Sequence, residues 1–366
     1  MKQEIALKVL GQVMDWDEER ARQEFAWLQL MAKFKYDDYQ DYMAGARFVE
    51  CLADWLQQFA KTDREAAYSF IRFKLIYLSA AELHHMVDLV YPNVVERTLI
   101  SALAAECGVP AYMVWSVPDA PLKFQALLRK CLFFGLSDGA RIDVFRRANV
   151  GRISNEQVVL ATEIGDTKWD GLLKDLRNSL KDPTARFKFV FLLDDFVATG
   201  TTLLRKEGDV WKGRLPKVRE SIHGRLSTHF EDDLRIIVHH YIATAVAKKN
   251  IDVRLAEVQA NQSAPGWLPN LQLSYGLVLP DSIRVSVQSH PDFYKVVERY
   301  YDHSIYNEHF RLSGVDHAKL GFGGLGLPIV MEHNTPNNAV SLLWAESSGD
   351  QAHQMRPLFR RRQRHS

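Results

Sequence analysis

The chain has 366 residues, 47% of them hydrophobic and 25% charged, with a formal net charge of +1. These values are typical of a globular protein with one large or two smaller domains, and they exclude a general electrostatic attraction to nucleic acid or membranes. The three cysteines are widely separated, acidic residues come early, and no apolar run reaches about 20 residues. We therefore expect a cytoplasmic protein without a disulfide framework, signal peptide or membrane span.

The first part of the chain is predicted to be helical. Apolar residues such as Trp27, Met31 and Phe34 recur at spacings of four and three, which gives each helix one buried face. We predict a helical domain over residues 1–105, an α/β domain over 106–345 and a basic tail over 346–366. The helical part contains no pattern that indicates chemistry.

The α/β domain is predicted to begin with a strand over residues 109–117 and a helix over 122–134. A Ser-Asp-Gly turn follows, and three arginines come soon after it: Arg141, Arg146 and Arg147. Arginines beside a glycine turn can clamp an anion through their forked donors. The same spacing is equally typical of a solvated basic face, so both interpretations stay open.

The clearest functional pattern lies in residues 187–203. An apolar run, interrupted only by Lys188, predicts a strand buried on both faces over residues 187–193. Asp194 and Asp195 follow at its carboxyl end, where open α/β sheets bind ligands. The next residues, predicted to form a turn before a helix that starts at 203–204, are Ala198, Thr199, Gly200, Thr201 and Thr202. Carboxylates beside a turn of small, hydroxyl-bearing residues predict a sugar-phosphate site.

The rest of the domain is predicted to alternate strands and helices. We predict a loop or lid over residues 207–225, a strand over 234–241, a helix that ends at 250 and a strand over 252–258. His239 and His240 point to opposite faces of their strand, so at most one can reach a ligand, and structural roles are favoured for both.

The C-terminal part is predicted to contain a helix over residues 291–304 and a strand over 329–332. Glycines over 321–326 have the spacing of a dinucleotide-binding motif, but this signal alone is weak because no clear strand precedes it. Three amides follow: Asn334, Asn337 and Asn338. They either form a loop of Asx turns or recognise the edge of a base or sugar.

Spacing excludes several other phosphate and hydrolase motifs. A dehalogenase-type phosphatase needs a second aspartate at position 196, which is Phe196, and a P-loop needs lysine after the glycine, where Thr201 stands. The chain has no HExxH metalloprotease motif and no GxSxG nucleophile elbow. The remaining pattern, an apolar strand followed by Asp-Asp and Ala-Thr-Gly-Thr-Thr, resembles the ribose-phosphate motif of type I phosphoribosyltransferases, and especially of the adenine enzymes.

This resemblance implies a fold and a set of roles. The fold is α/β, with a mainly parallel central sheet flanked by helices and here an N-terminal helical extension. Asp194 and Asp195 would hold the ribose hydroxyls, directly or through Mg²⁺, and residues 198–202 would bind the 5′-phosphate. Arg141, Arg146 and Arg147 are candidates for the pyrophosphate site, and Asn334, Asn337 and Asn338 for part of the acceptor pocket.

Further sequence segments within residues 110–360 indicate a particular family among the phosphoribosyltransferase-like proteins. They are GLSDGARID, RRAN, SNEQ, HHYIAT, HNTPNN, LLWAE and PLFRR. These blocks are similar to the PRTase-CE-type proteins of bacterial conflict systems, which include effectors of anti-phage and retron operons. The resemblance implies a toxin effector of antiviral defence that binds phosphoribosyl pyrophosphate or a nucleotide, with operon-encoded partners such as a reverse transcriptase and its noncoding RNA.

Two alternatives belong to other functional classes. The chain can be a nucleotide-binding sensor that has lost turnover, or a scaffold that docks RNA through its basic tail and its arginine loop. The acceptor and the oligomeric state, homo-oligomers included, are not determined by the sequence.

Overall fold

The computed structural model describes residues 3–41, 47–160, 164–260, 268, 270–349 and 353–361. The chain forms two compact units. Unit 1 combines Met1–Glu82 with Asp281–Ser366, and unit 2 comprises Leu83–Pro280. In the described residues, no helix combines the length and the apolar character that crossing a membrane requires.

The helices and strands are numbered in chain order. The α-helices are α1 Gln3–Val13, α2 Glu18–Phe34, α3 Phe48–Gln57, α4 Lys61–Phe73, α5 Ala80–Asp88, α6 Glu96–Cys107, α7 Ala120–Arg129, α8 Ile142–Ala148, α9 Asp166–Leu180, α10 Arg214–His223, α11 Leu226–His229, α12 Ala245–Ala260, α13 Pro291–Tyr300, α14 Glu308–Arg311 and α15 Ser341–Trp344. The strands are β1 Ile76–Leu78, β2 Cys131–Gly135, β3 Val158–Val159, β4 Phe187–Val197, β5 Arg205–Glu207, β6 Val210–Lys212, β7 Phe230–Thr244, β8 Leu271–Leu279 and β9 Ile329–Met331.

A five-stranded parallel sheet organises unit 2, in the order β3-β2-β4-β7-β8. The central strand β4 is buried on both faces from Phe189 to Leu193, which explains its continuous apolar run. On one face, α9, α10 and α12 pack against the sheet. On the other face, Phe133 and Phe191 stack with their ring centroids 5.2 Å apart. The α/β fold with a parallel central sheet and an N-terminal helical region is therefore confirmed.

Unit 1 joins the first helices to the end of the chain. Strand β1 pairs with β9 in parallel, and the indole Nε1 of Trp55 donates to the Leu342 carbonyl at 2.8 Å. Phe359 is fully buried and stacks on Phe48 at 5.8 Å between centroids. The structure thus divides the chain at 82/83 and 280/281, and not at the predicted boundaries near 105 and 345. Part of the predicted tail belongs to a core, because Phe359 and its neighbours bury apolar surface there; residues 362–366 lie outside the described residues.

Several predicted elements are wrong in type. Residues 109–117 contain a 3-10 helix, Ala111–Ser116, because prolines flank this segment and its larger side chains Tyr112 and Trp115 face solvent. The helix predicted over 122–134 ends at Arg129, and the run that follows is the buried strand β2. The strand predicted over 252–258 is part of helix α12, where buried residues recur with helical spacing.

The segment after the central strand also differs from its prediction. No helix starts at 203–204. Instead, the chain forms the antiparallel hairpin β5–β6 and then helix α10, so the predicted loop over 207–225 is mostly regular structure. Leu203 and Leu204 are buried. Gly213 has φ +122°, and a Cβ added there would lie 2.6 Å from the carbonyl oxygen of Leu203. Because glycine has no Cβ and tolerates this φ, the backbone can pass close to Leu203 immediately before α10 begins.

Candidate functional site

The candidate site lies at the carboxyl edge of the sheet in unit 2. The register aligns Gly135 of β2 with Leu193 of β4, and Leu193 with His239 of β7. The segments that follow these three strands therefore begin at the same edge. The predicted carboxylates lie in the last residues of β4, the predicted phosphate turn follows β4, and the Ser-Asp-Gly turn follows β2.

Asp194 is buried and fully engaged. Its side chain is 1% exposed. Ser137 donates its hydroxyl to Oδ1 at 2.5 Å, and Arg214, the first residue of α10, donates its guanidinium to Oδ2. The ring Nε2 of His240 lies 3.8 Å from the same Oδ2. Both oxygens of this carboxylate therefore already have partners within the protein, and Asp194 joins the ends of β2, β4 and α10.

Asp195 has a different environment and is half-buried. Its Oδ1 accepts the N–H of Phe196 at 2.8 Å. Gly139 approaches the carboxylate so closely that an added Cβ would overlap Asp195 Oδ2. Arg141 and Tyr241 are near enough to interact electrostatically with this carboxylate. Asp195 is consequently the carboxylate of the pair that is partly accessible to a ligand.

Arg141 adopts the left-handed conformation, with φ 48°. Its Nη1 lies 3.3 Å from Nε2 of His84. Burial lowers the pKa of the guanidinium, although Asp195 and Asp143 act in the opposite direction. A left-handed non-glycine residue is strained by about 1–3 kcal/mol, and such strain concentrates at functional sites. The conformation places this cation beside Asp195.

The two histidines of β7 are buried and neutral. Burial lowers the pKa of His240 to about 3, and the charges of His239 and Arg214 act in the same direction. Burial lowers the pKa of His239 to about 4, and its Nδ1 lies 3.0 Å from the Ser274 hydroxyl. Among the described residues, Nδ1 of His240 has no hydrogen-bond partner. His240 thus packs against Asp194 as a neutral ring, and His239 fits the predicted structural role.

The threonine turn, residues 198–202, is separated from the carboxylates by two residues, Phe196 and Val197. Gly200 has φ +78°, and an added Cβ would lie 2.6 Å from Ile251 Cγ1. The hydroxyls of Thr199 and Thr201 are 2.8 Å apart. Within the described ranges, the backbone N–H groups of Thr199, Gly200 and Thr202 donate to no protein acceptor. A turn with several uncommitted N–H donors and two hydroxyls can bind an anion.

The carbonyls of the turn are held from the opposite side. Thr244 donates its hydroxyl to the Ala198 carbonyl at 2.6 Å, and Asn250 and Arg254 of α12 donate to the Thr199 carbonyl at 3.3 Å each. Because the C=O and the next N–H of a trans peptide point in opposite directions, the N–H groups of Thr199 and Gly200 face away from α12. The donors of the turn therefore point away from the residues that hold its carbonyls.

A family model described as PRTase-CE matches residues 52–361. The chain belongs to the PRTase-CE family. It is a phosphoribosyltransferase-like protein, which confirms the family predicted from the sequence motifs. Comparison with curated proteins and with solved structures gives no match. The match covers all of unit 2 and also includes most of the described part of unit 1, beginning inside helix α3.

The structure brings only some of the candidate residues of this PRTase-CE protein together. Asp194, Asp195, the threonine turn and Arg141 share the carboxyl edge of the sheet. Arg147 is exposed on α8 and pairs with Asp143 of the same helix at 2.8 Å. No described contact brings Arg146 to the carboxylates.

The three predicted asparagines belong to unit 1. Asn338 is buried and donates its amide to the Phe322 carbonyl at 2.9 Å. The amide of Asn337 lies 3.0 Å from Nε2 of His309, and Asn334 forms a turn with Met331. The amide of Asn338 is thus used for local structure. The glycines over 321–326 have positive φ angles, a conformation that their spacing in the sequence did not predict.

Three residues of the site were missed by the sequence analysis. Ser137 stands inside the Ser-Asp-Gly turn, where its hydroxyl was assigned only a turn role. Arg214 follows the unpredicted hairpin, so no pattern connected it with Asp194. Arg254 lies in a segment that was predicted to be a strand. In each case the signal depended on tertiary contacts, since a lone serine or arginine has no distinctive spacing.

The carboxylates fit a magnesium ion only in part. Mg²⁺ is usually bound through one or two protein carboxylates together with phosphate oxygens of the substrate. Both oxygens of Asp194 already accept hydrogen bonds, so Asp195 is the residue of the pair that fits this role. No group of three or more His, Cys, Asp or Glu residues that could hold a metal occurs in the described part of the chain. A metal here would therefore depend on ligand oxygens as well as Asp195.

Proposed function

We propose that this protein binds phosphoribosyl pyrophosphate or a related nucleotide at the carboxyl edge of its sheet. It would break the bond at C1′ and transfer the ribosyl group to an acceptor or to water. The observation that carries the proposal is the threonine turn, whose N–H donors face away from α12 and which begins three residues after the half-buried Asp195. The N–H donors can bind a phosphate, and the aspartate can accept a hydrogen bond from a ribose hydroxyl.

The ligand would be held by groups of different character. The 5′-phosphate accepts hydrogen bonds from the N–H groups and hydroxyls of Thr199 to Thr202. The ribose hydroxyls donate to Asp195, which also holds Mg²⁺ together with oxygens of the ligand. Arg141, beside Asp195, binds the pyrophosphate or second phosphate as a forked cation. Asp194 keeps β4, Ser137 and Arg214 in register and does not contact the ligand.

The chemistry requires charge stabilisation more than a nucleophile. As the bond between C1′ and the pyrophosphate oxygen breaks, its electron pair leaves with pyrophosphate and positive charge develops on the sugar. Asp195 stabilises the developing cation, and Arg141 stabilises the departing anion. The acceptor, a base nitrogen or water, then forms the new bond at C1′. Bound Mg²⁺ would neutralise further charge on the leaving group.

We extend the proposal to the biological role on the basis of the sequence blocks shared with conflict-system proteins. The protein would be a toxin effector of antiviral defence that stays silent until phage infection. Operon-encoded partners, such as a reverse transcriptase with noncoding RNA, would restrain it. An Asp195→Asn variant that still protects cells fully against phage would contradict the catalytic form of this role.

A second candidate is a nucleotide sensor without turnover. The observation that favours it is the occupation of Asp194 by Ser137 and Arg214, which leaves one carboxylate where the type I enzymes are expected to use two. Such a protein would bind the same ligand through the threonine turn but would not cleave it.

The experiment incubates purified protein with phosphoribosyl pyrophosphate and Mg²⁺, measures binding by calorimetry and identifies products by mass spectrometry. Binding with release of pyrophosphate supports the enzyme, and binding without products supports the sensor. Asp195→Asn should abolish both signals. The matched control is Asp232→Asn, because Asp232 is an exposed aspartate that pairs with Arg186 elsewhere on unit 2. Absence of binding by the wild-type protein would refute both candidates.

A further inference from the structure

Helix α12 brings an arginine against the carbonyl side of the threonine turn. Nη1 of Arg254 donates to the Leu204 carbonyl at 3.0 Å and to the Thr199 carbonyl at 3.3 Å. A Cβ added at Gly200 would lie 3.2 Å from the same Nη1. The guanidinium therefore lies on the carbonyl side of the peptide group that joins Thr199 and Gly200, whose N–H points away from it.

The charge of this guanidinium has no acidic partner among the described residues. Its contacts in the turn are neutral carbonyl oxygens, and burial alone lowers its pKa. The nearby acid of the same helix, Glu257, pairs instead with Lys206 at 2.6 Å. Burying a charge without a counter-charge is unfavourable, so such groups are normally paired. Arg254 is half-buried, so an anion near it would offset part of this cost.

We propose that Arg254 is the counter-charge of the phosphate bound by the threonine turn, acting through the turn and without touching the ligand. The inference rests on the proposed phosphate site and adds a specificity to it. Coulomb attraction falls only with the inverse of distance, so a cation one peptide layer away still favours the more highly charged ligand. The turn would therefore discriminate a phosphate dianion from a singly charged or neutral group of the same shape.

The role differs from that of a purely structural arginine. A structural arginine orients the Thr199 and Leu204 carbonyls, and its loss weakens every ligand of the turn equally. A counter-charge weakens binding in proportion to ligand charge. The substitution Arg254→Gln distinguishes the structural role from the counter-charge role, because the glutamine amide can still donate to a carbonyl but has no charge.

The experiment measures binding of ribose 5-phosphate and ribose 5-sulfate by calorimetry at one pH and ionic strength. The two ligands have similar shapes, but the phosphate is close to a dianion and the sulfate is a monoanion. For Arg254→Gln, we expect a loss of about tenfold for the phosphate, equivalent to about 1.4 kcal/mol, and about threefold for the sulfate. Arg186→Gln is the matched control, since this arginine pairs with Asp232, and both affinities should stay unchanged.

Four outcomes overturn the inference. Equal losses for both ligands would assign Arg254 a structural role, and unchanged affinities would remove any role while leaving the proposed function intact. A wild-type protein that binds neither ligand would refute the proposed phosphate site together with this inference. If Arg254→Gln does not fold, Arg254→Lys is the second variant, because it keeps the positive charge. Its affinity for ribose 5-phosphate should stay within about threefold of wild type. A tenfold loss would refute the role of Arg254 as a counter-charge.

Discussion

Adjacent aspartates at the end of β4 should respond in opposite ways to the same substitution. Asp194→Asn removes the charge that Arg214 and Ser137 contact, whereas Asp195→Asn changes a half-buried group beside Gly139. We expect the first variant to lose stability and the second to lose ligand binding.

The magnitudes follow from burial. Removing one partner of a buried ion pair costs about 3–5 kcal/mol. The Asp194 side chain is 1% exposed but that of Arg214 is 22% exposed, so solvent screens part of the loss and about 2–3 kcal/mol is expected. Asp195→Asn should cost less than about 1 kcal/mol of stability. It removes the proposed hydrogen bonds between the Asp195 carboxylate and the ribose, each worth about 1.5–3 kcal/mol, so affinity should fall at least tenfold.

Hydrogen exchange followed by mass spectrometry measures the stability locally, because the chain has two compact units and a single unfolding transition is not assured. Peptides from β4 should exchange about 30-fold faster in Asp194→Asn, if exchange requires opening of the sheet, and at nearly the wild-type rate in Asp195→Asn. Calorimetry with phosphoribosyl pyrophosphate measures the affinity. Arg214→Gln and the double variant with Asp194→Asn complete a cycle, in which the two losses should not add.

Equal loss of protection in the two aspartate variants would refute the distinction between them. So would full protection of β4 in Asp194→Asn combined with complete loss of ligand, because Asp194 would then be a ligand group and not a structural one. Additive losses in the cycle would show that Arg214 does not stabilise Asp194.

The remaining predictions concern the histidine and two glycines of the site. Lowering the pH from 6.5 to 5 should decrease the free energy of unfolding by about 2 kcal/mol through His240, because its folded-state pKa of about 3 lies below the unfolded value and the unfolded chain binds the extra proton. His240→Gln should reduce this dependence in urea titrations, whereas His239, whose pKa is lowered to about 4, keeps its own contribution; an unchanged slope would contradict the prediction. Gly200→Ala should cost about 2–4 kcal/mol, measured by hydrogen exchange, because a left-handed alanine is strained and its Cβ would lie 2.6 Å from Ile251. Gly139→Ala should leave stability within about 1 kcal/mol but weaken ligand binding in calorimetry, since the new Cβ displaces the Asp195 carboxylate; wild-type affinity would count against a ligand role for that carboxylate.

The elements that the sequence predicted well are those determined by local pattern. The apolar run of β4, interrupted only by Lys188, predicts a strand buried on both faces, and the two aspartates and the threonine turn come soon after it in the chain. The family followed from the same residues, because a short contiguous motif carries its own spacing.

Tertiary contacts decided what the local pattern left open. Adjacent residues of a strand point in opposite directions, so Asp194 and Asp195 have different surroundings even though the sequence presents them as a pair. Which one is buried depends on Ser137 and Arg214, whose partnership with Asp194 comes from strand register and from a hairpin between the turn and α10. The sequence by itself determined that a strand ends in two carboxylates and is followed by a turn of small, hydroxyl-bearing residues. The fold determined that one carboxylate is structural, because its contacts come from residues 57 and 20 positions away in the chain.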